Sequence, residues 1–284
     1  MSGHIRGVQA RIEKKCASAT YVHCRSHNLN LAVCDTCAIP VIRNMYTIAN
    51  KILTFIRSSP KCLQVYIDNG NNTRLKRFCP TRWTYHSESI HVLFENFGTI
   101  LETLDVLKSD SYTHTRNDAT SLSNSISSFE FLVALVVVEA PMQHLAPLCS
   151  ALQNQQCDLV KASSMALSVI GMLRENRNSD EYFQSLWNKA CTAADDEGIS
   201  DTKPRVSAKQ TRRSNTSQSA SMGTSDTPQQ YWKLNLFLPF LDHLIVQLEN
   251  RLTNNIPRLN AQYLVPCNIS LLDETMWTSI KVLQ

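Results

Sequence analysis

The sequence predicts a mainly α-helical protein with a single β-strand near its N-terminus. Three observations indicate this class. Apolar residues recur at three- and four-residue spacing over most of the chain, only one short stretch favours a strand, and 43% of the 284 residues are hydrophobic. A chain of this size and composition can bury a substantial core, which excludes a disordered or fibrous protein.

The strand and a short helix are the first predicted elements. Residues 3–15 carry apolar side chains at helical spacing and end in lysines, which predicts a short amphipathic helix. The stretch ATYVHC at 19–24 contains three consecutive β-favouring residues, and we expect it to form the one strand.

Periodic apolar positions predict the remaining helices. Pro40 marks the start of the first of them, and Pro239 is expected in the first turn of the last. Residues 58–83 contain many turn-forming residues, and residues 109–128 are predicted to be a polar connection. The predicted helical ranges are 39–57, 83–110 as a helix pair, 129–155, 157–177, 180–197 and 231–252.

Composition and charge exclude several functional classes. The ten cysteines are irregularly spaced and the N-terminus has no apolar signal core, which indicates reduced thiols in the nucleus or cytoplasm. No glycine-rich phosphate loop is present, so no nucleotide cofactor is predicted. The most apolar run, FLVALVVV at 131–138, is shorter than the roughly 20 residues that a membrane-spanning helix needs. No membrane partner is therefore expected.

Four residues have the spacing of a candidate zinc site, C-x2-H-x6-C-x2-C: Cys24, His27, Cys34 and Cys37. The intervening NLNLAV has no glycine or proline and is typical of a helix start, and a continuous helix would separate Cys24 from Cys34 by about 15 Å. The preferred interpretation is therefore a packing stripe at positions 24, 27, 31 and 34, with His27 as a hydrogen-bonded core residue. A small zinc-binding regulatory module remains the alternative.

Five segments, in this order, carry a family resemblance: MSGHIRGVQARI (1–12), ATYVHCRSHNLNLAV (19–33), PTRWTYHSESI (80–90), KPRVSAKQTRRSN (203–215) and QYWKLNLFLPFLDHLIVQLENRL (230–252). Together they resemble the hAT-type transposases and the host proteins derived from them, especially the group of zinc finger MYM-type and 52 kDa repressor-like proteins. The segments extend over nearly the whole chain.

The resemblance implies structural roles for two short motifs. In this family a Cys-x-x-His pair followed by Leu-Asn-Leu marks the end of a core strand and the start of the next helix. A Thr-Arg-Trp element lies in the same region, with the tryptophan expected to be a buried anchor. The matching residues here are Cys24, His27, Leu29, Asn30, Leu31, Thr81, Arg82 and Trp83.

The resemblance also implies a fold and a chemistry. Such transposases have an RNase-H-like core interrupted by a helical insertion, and three acids hold two catalytic metal ions. The family positions of all three acids are expected to lie outside this chain, so neither a catalytic residue nor a metal is predicted. The prominent acids of this chain match none of those positions: Asp35, Asp68, Asp105, Asp242, Asp273 and Glu274.

We therefore expect an internal fragment of such a protein: a one-strand remnant of the RNase-H-like α/β core, followed by an all-α insertion domain. One strand cannot form a sheet alone, so the first ~35 residues are expected to pack poorly in isolation. The predicted divisions are 1–90 for the partial core, 91–194 for the helical insertion, 195–230 for a disordered linker or loop, and 231–284 for the helical continuation.

The predicted linker carries the densest basic cluster of the chain: Lys203, Arg205, Lys209, Arg212 and Arg213. A flexible basic segment can contact DNA phosphates non-specifically or act as a nuclear-import signal. Acids just before it balance this charge, so a solvated loop is the alternative. We predict a nuclear, non-catalytic protein that is DNA-associated or a protein-interaction scaffold, with a cytoplasmic location as the alternative.

Overall fold

The computed structural model describes residues 7–16, 24–70, 74–76, 78, 84–154, 157–204, 227–253 and 273–274. Within these ranges the chain is helical and contains no β-strand, which confirms the mainly α-helical class. The predicted strand at 19–24 lies outside the described residues except for Cys24, so the RNase-H-like remnant stays a prediction. The α-helices are α1 (Val8–Lys15), α2 (Arg25–Thr36), α3 (Pro40–Ser58), α4 (Pro60–Asp68), α5 (Thr84–Glu95), α6 (Phe97–Leu107), α7 (Thr113–Ile126), α8 (Phe129–Gln153), α9 (Leu159–Asn178), α10 (Asp180–Asp196), α11 (Pro228–Trp232) and α12 (Leu238–Leu248).

Helix α8 lies at the centre of the structure. Ser128 caps its N-terminus by accepting a hydrogen bond from the backbone N–H of Phe131 at 3.3 Å. Every residue from Phe131 to Glu139 is buried, because α2, α3, α5, α7, α9 and α10 pack around this helix. A helix that is apolar on all sides must be surrounded in this way.

The length of α8 exceeds what the apolar run at 131–138 indicated. At 25 residues with a mean hydropathy of 1.6 in its most apolar window, it could cross a membrane by length and composition alone. In the structure 72% of that window is buried inside the protein. A helix at the centre of a helical bundle is as apolar as a membrane-spanning helix, because apolar neighbours rather than water surround it on every side.

Several predicted helices are confirmed close to their predicted bounds. Helix α3 begins at Pro40, whose missing N–H costs nothing in the first turn, and it buries one apolar face. The pair expected within 83–110 is present as α5 and α6, and the helices expected at 129–155, 157–177 and 180–197 are α8, α9 and α10.

Two helices replace predicted connections. Helix α4 begins at Pro60 and is capped by Ser59, whose hydroxyl accepts a hydrogen bond from the backbone N–H of Cys62. Helix α7 occupies most of the connection predicted at 109–128, so that prediction was wrong. Its sequence is polar, but Ala119, Leu122 and Ile126 lie three to four residues apart and are buried, which is enough to hold a helix on the core.

The helical segment predicted at 231–252, which we call the last helix, begins earlier than predicted and is not uniform. It starts at Pro228, passes through a π-helical turn at Lys233–Phe237, continues as α12 and ends in a second π-helical turn at Glu249–Thr253. The ring of Pro239 would clash with the carbonyl of Asn235 in a regular helix. The wider π turn, which contains Asn235, accounts for a proline inside this helix.

Helices α2 to α12 share one hydrophobic core, which extends from Leu29 in α2 to Leu252 in the second π turn. Helix α12 packs against both α2 and α9. The predicted domain divisions stay predictions, and the one at residue 90 lies within α5. Part of the predicted linker is also packed, since Ile199 is buried and the Trp232 indole N–H donates to the carbonyl of Thr202 at 3.2 Å.

Candidate functional site

Two residues at the start of α2, Arg25 and Asn28, contact the second π-helical turn, Glu249–Thr253. The Arg25 guanidinium donates to the carbonyl oxygens of Arg251, at 3.1 Å, and Leu252, at 2.8 Å. The Asn28 side-chain amide donates to the Arg251 carbonyl at 3.2 Å. These three hydrogen bonds connect the start of α2 to backbone carbonyls of the second π-helical turn.

Two further contacts join α2 to the same helix. The Asp35 carboxylate forms an ion pair with the Arg251 guanidinium. Nε2 of His243 lies 3.0 Å from the backbone carbonyl oxygen of Asp35. Because a carbonyl oxygen can only accept, Nε2 is the donor of this hydrogen bond. We call the set Arg25, Asn28, Asp35, His243 and Arg251 the α2 clamp. It connects residues more than 200 positions apart and fixes the direction of the last helix.

The motif residues divide into buried and exposed groups. Leu29 and Asn30 are buried, Leu31 is half-buried, and Cys24 and His27 are exposed. The predicted packing stripe through positions 24, 27, 31 and 34 was therefore wrong, as was a core position for His27. The buried face of α2 consists of Leu29, Asn30, Ala32, Val33 and Thr36.

The structural roles implied for the motif remain predictions. Helix α2 begins at Arg25 directly after Cys24, which is where the motif places a helix start. Thr81, Arg82 and Trp83 lie outside the described residues.

The four candidate zinc ligands lie along one helix. Cys24 precedes the first residue of the 12-residue α2, and Cys37 follows its last. A rise of about 1.5 Å per residue separates Cys24 from Cys34 by roughly 15 Å, too far for one ion. Burial, with a contribution from Cys34, raises the pKa of the Cys37 thiol to about 11, which disfavours the thiolate that zinc requires. Across the described ranges no group of three His, Cys, Asp or Glu side chains could hold a metal ion.

Only one residue of the predicted basic cluster can be located. Lys203 is half-buried and lies with Glu130, Glu197 and Trp232 on the wall of a cavity of about 480 Å³. Arg205, Lys209, Arg212 and Arg213 lie outside the described residues, so the cluster as a nucleic-acid contact stays a prediction.

A buried ion cluster in α8 is the feature that sequence reasoning missed. The Glu139 side chain is 2% exposed, yet it contacts Nδ1 of His91 at 3.0 Å and Nζ of Lys189 at 3.1 Å. The Gln143 amide also donates to this carboxylate. A charged residue at the end of the run FLVALVVV was the available signal.

The geometry of this cluster shows a charge held in place by three helices. His91 belongs to α5 and Lys189 to α10, so the carboxylate connects both helices to α8. Nζ of Lys189 also lies 4.2 Å from the centre of the Phe94 ring. Burial and the charge of Glu139 raise the pKa of Tyr182. The arrangement compensates a buried carboxylate and orients the half-exposed His91 ring.

We expect Arg25→Met to loosen the α2 clamp. The substitution keeps an apolar stem but removes a charged donor from two carbonyls, which should cost about 1.5–3 kcal/mol of unfolding free energy. Hydrogen exchange of residues 249–253 should accelerate in the variant. Arg116→Met, at an exposed position of α7, is the matched control and should change neither quantity. An unchanged exchange rate of residues 249–253 in Arg25→Met would contradict a role of Arg25 in stabilising this turn.

Comparison with known proteins gives a distant similarity over most of the chain. The chain is 22% identical over 279 residues to the 52 kDa repressor of the inhibitor of the protein kinase of Homo sapiens. It is 23% identical over 282 residues to the protein of the same name of Mus musculus. The matches cover 93% of this chain and 36% of each relative, so the chain spans little more than a third of their length.

No family model matches the chain, and no solved structure matches it. The similarity to the two repressors thus supports the repressor-like part of the resemblance, while a transposase origin rests on the motifs alone.

Proposed function

We propose that this chain is a non-catalytic regulatory protein of hAT-transposase descent. In this proposal it acts in the nucleus as an interaction scaffold and contacts DNA non-specifically through its basic segment. The observation that carries the proposal is the similarity to the 52 kDa repressors over 93% of the chain. Their name describes a repressor, a role that works through binding rather than through turnover.

The architecture supports a scaffold. The α2 clamp and the shared core connect the Cys-x-x-His segment to the last helix, so surfaces on both would be presented in one fixed arrangement. A rigid presentation lowers the entropy lost when a partner binds.

The placement of the acids supports the absence of two-metal chemistry. A two-metal site gathers several carboxylates around ions about 4 Å apart. Here Asp35 pairs with Arg251, Asp242 with Arg177, and Asp105 with Lys108. Among the described residues, no three such carboxylates gather into a group that could hold a metal ion.

The DNA contact is tested by salt-dependent binding. Fluorescence anisotropy of a labelled duplex with the full chain should give a slope of log K against log salt of about −4 to −5, if all five basic residues contact phosphates. Replacing all five basic residues of the segment by glutamine should remove most of that slope. The matched control neutralises five exposed basic residues elsewhere, and its slope should stay unchanged: Lys14, Arg43, Lys51, Arg116 and Lys161.

Two outcomes would count against the proposal. Equal slopes for the two quintuple variants would remove the basic segment as the DNA contact. Cleavage of DNA by the purified chain with Mg²⁺ or Mn²⁺ would contradict the non-catalytic assignment.

A further inference from the structure

Four helical ends meet around the start of α2. Arg25 lines a small cavity together with Leu152 at the end of α8, Leu159 at the start of α9 and Leu252 in the last π turn. Cys24 immediately precedes Arg25, and Cys157 lies two residues before Leu159. The fold therefore brings two cysteines that are far apart in the sequence to the same corner of the protein.

The two thiols differ in exposure. Cys24 is exposed and has a non-helical backbone, with φ −55° and ψ 123°, at the position before α2. Cys157 is half-buried in the connection between α8 and α9, where its N–H donates to the carbonyl of Asn154 at 3.2 Å. Burial raises the pKa of the Cys157 thiol, and the charges of Asp158 and Cys24 raise it further.

We propose that Cys24 and Cys157 form a reversible disulfide under oxidising conditions, fastening the start of α2 to the α8–α9 connection. This modification site is independent of the proposed DNA contact. Both cysteines are free thiols in the structure, and each lies just before a helix, Cys24 before α2 and Cys157 before α9. A disulfide between them requires 4.4–6.8 Å between their Cα atoms.

The difference in exposure indicates which thiol reacts first. The exposed Cys24 thiolate attacks a small-molecule disulfide such as oxidised glutathione, forming a mixed disulfide and releasing one glutathione thiolate. Cys157 then loses its proton and attacks the sulfur of Cys24, which releases the second glutathione. Two protein thiols are oxidised and one glutathione disulfide is reduced to two thiols, so electrons and atoms balance.

Cys157 suits the second step better than the first. A raised pKa leaves little thiolate to react with a dilute external disulfide. An adjacent mixed disulfide on Cys24 is presented at high effective concentration, so a small thiolate fraction suffices. The product would hold Arg25 next to the carbonyls that it caps, and the oxidised protein should melt about 5 °C or more above the reduced protein.

Peptide mapping tests the proposal with the full chain. The native protein is incubated with oxidised glutathione, alkylated, digested and analysed by mass spectrometry. We expect a linked peptide pair that contains Cys24 and Cys157 and that disappears on reduction with dithiothreitol. Cys157→Ser should instead leave Cys24 carrying one glutathione, and Cys24→Ser should leave Cys157 alkylated.

Two controls make the result specific. Cys16→Ser removes another exposed cysteine and should leave the Cys24–Cys157 link intact. Oxidation of the protein in denaturant should give disulfides between many different pairs of cysteines, because unfolding separates Cys24 from Cys157. Two results with the wild-type protein would overturn the proposal: stable glutathionylation of Cys24, or a disulfide between Cys24 and a different cysteine.

Discussion

Phe240→Ala is expected to lower the free energy of unfolding by about 3–5 kcal/mol. Phe240 is 0% exposed in α12, the helix that packs against both α2 and α9. Removing its ring loses the burial of a large apolar surface and leaves a cavity that the surrounding helices can fill only in part. Urea unfolding monitored by circular dichroism measures the change.

The matched control is Val246→Ala on the same helix. Val246 is 49% exposed, so its truncation should change stability by no more than about 0.5 kcal/mol. Because α2 and α12 share one core, Phe240→Ala should shift the unfolding of the segment before residue 90 together with that of the last helix. A variant in which only one of two separate transitions moved would contradict the shared core.

Long apolar helices could be predicted from the sequence because their periodicity is a local property. Helices α3 and α8 each place apolar residues at helical spacing over many turns, and each is found close to its predicted start. Helix α7 was not predicted because Ser, Thr and Asn dominate its sequence. The burial of its residues Ala119, Leu122 and Ile126 against the core stabilises it, and this is a tertiary effect.

The α2 clamp could not be predicted for a related reason. The spacing of Leu29, Ala32 and Val33 marks the face of α2 that meets the core, but it does not show which element covers the helix. The structure buries Leu29 and Val33 and exposes His27, while Arg25 and Asp35 contact the last helix. Contacts between residues so distant in the chain leave no periodic signal.

The other large effect is expected at the buried ion cluster. Lys189→Met should lower the free energy of unfolding by about 3 kcal/mol, because it removes the fixed positive charge from a carboxylate that is 2% exposed. Methionine retains an unbranched apolar stem, so packing beside Phe94 is largely preserved. The loss should therefore report the charge rather than the volume of the side chain.

A double variant separates these two causes. Glu139→Gln combined with Lys189→Met removes both charges and should be at least 1 kcal/mol more stable than Lys189→Met alone, since no unpaired buried charge remains. Lys189→Arg keeps the positive charge and should stay close to the wild-type stability. Equal losses in the single and double variants, measured by urea unfolding, would show that Lys189 acts through packing instead. The ion cluster would then contribute little to holding α5 and α10 against the central helix.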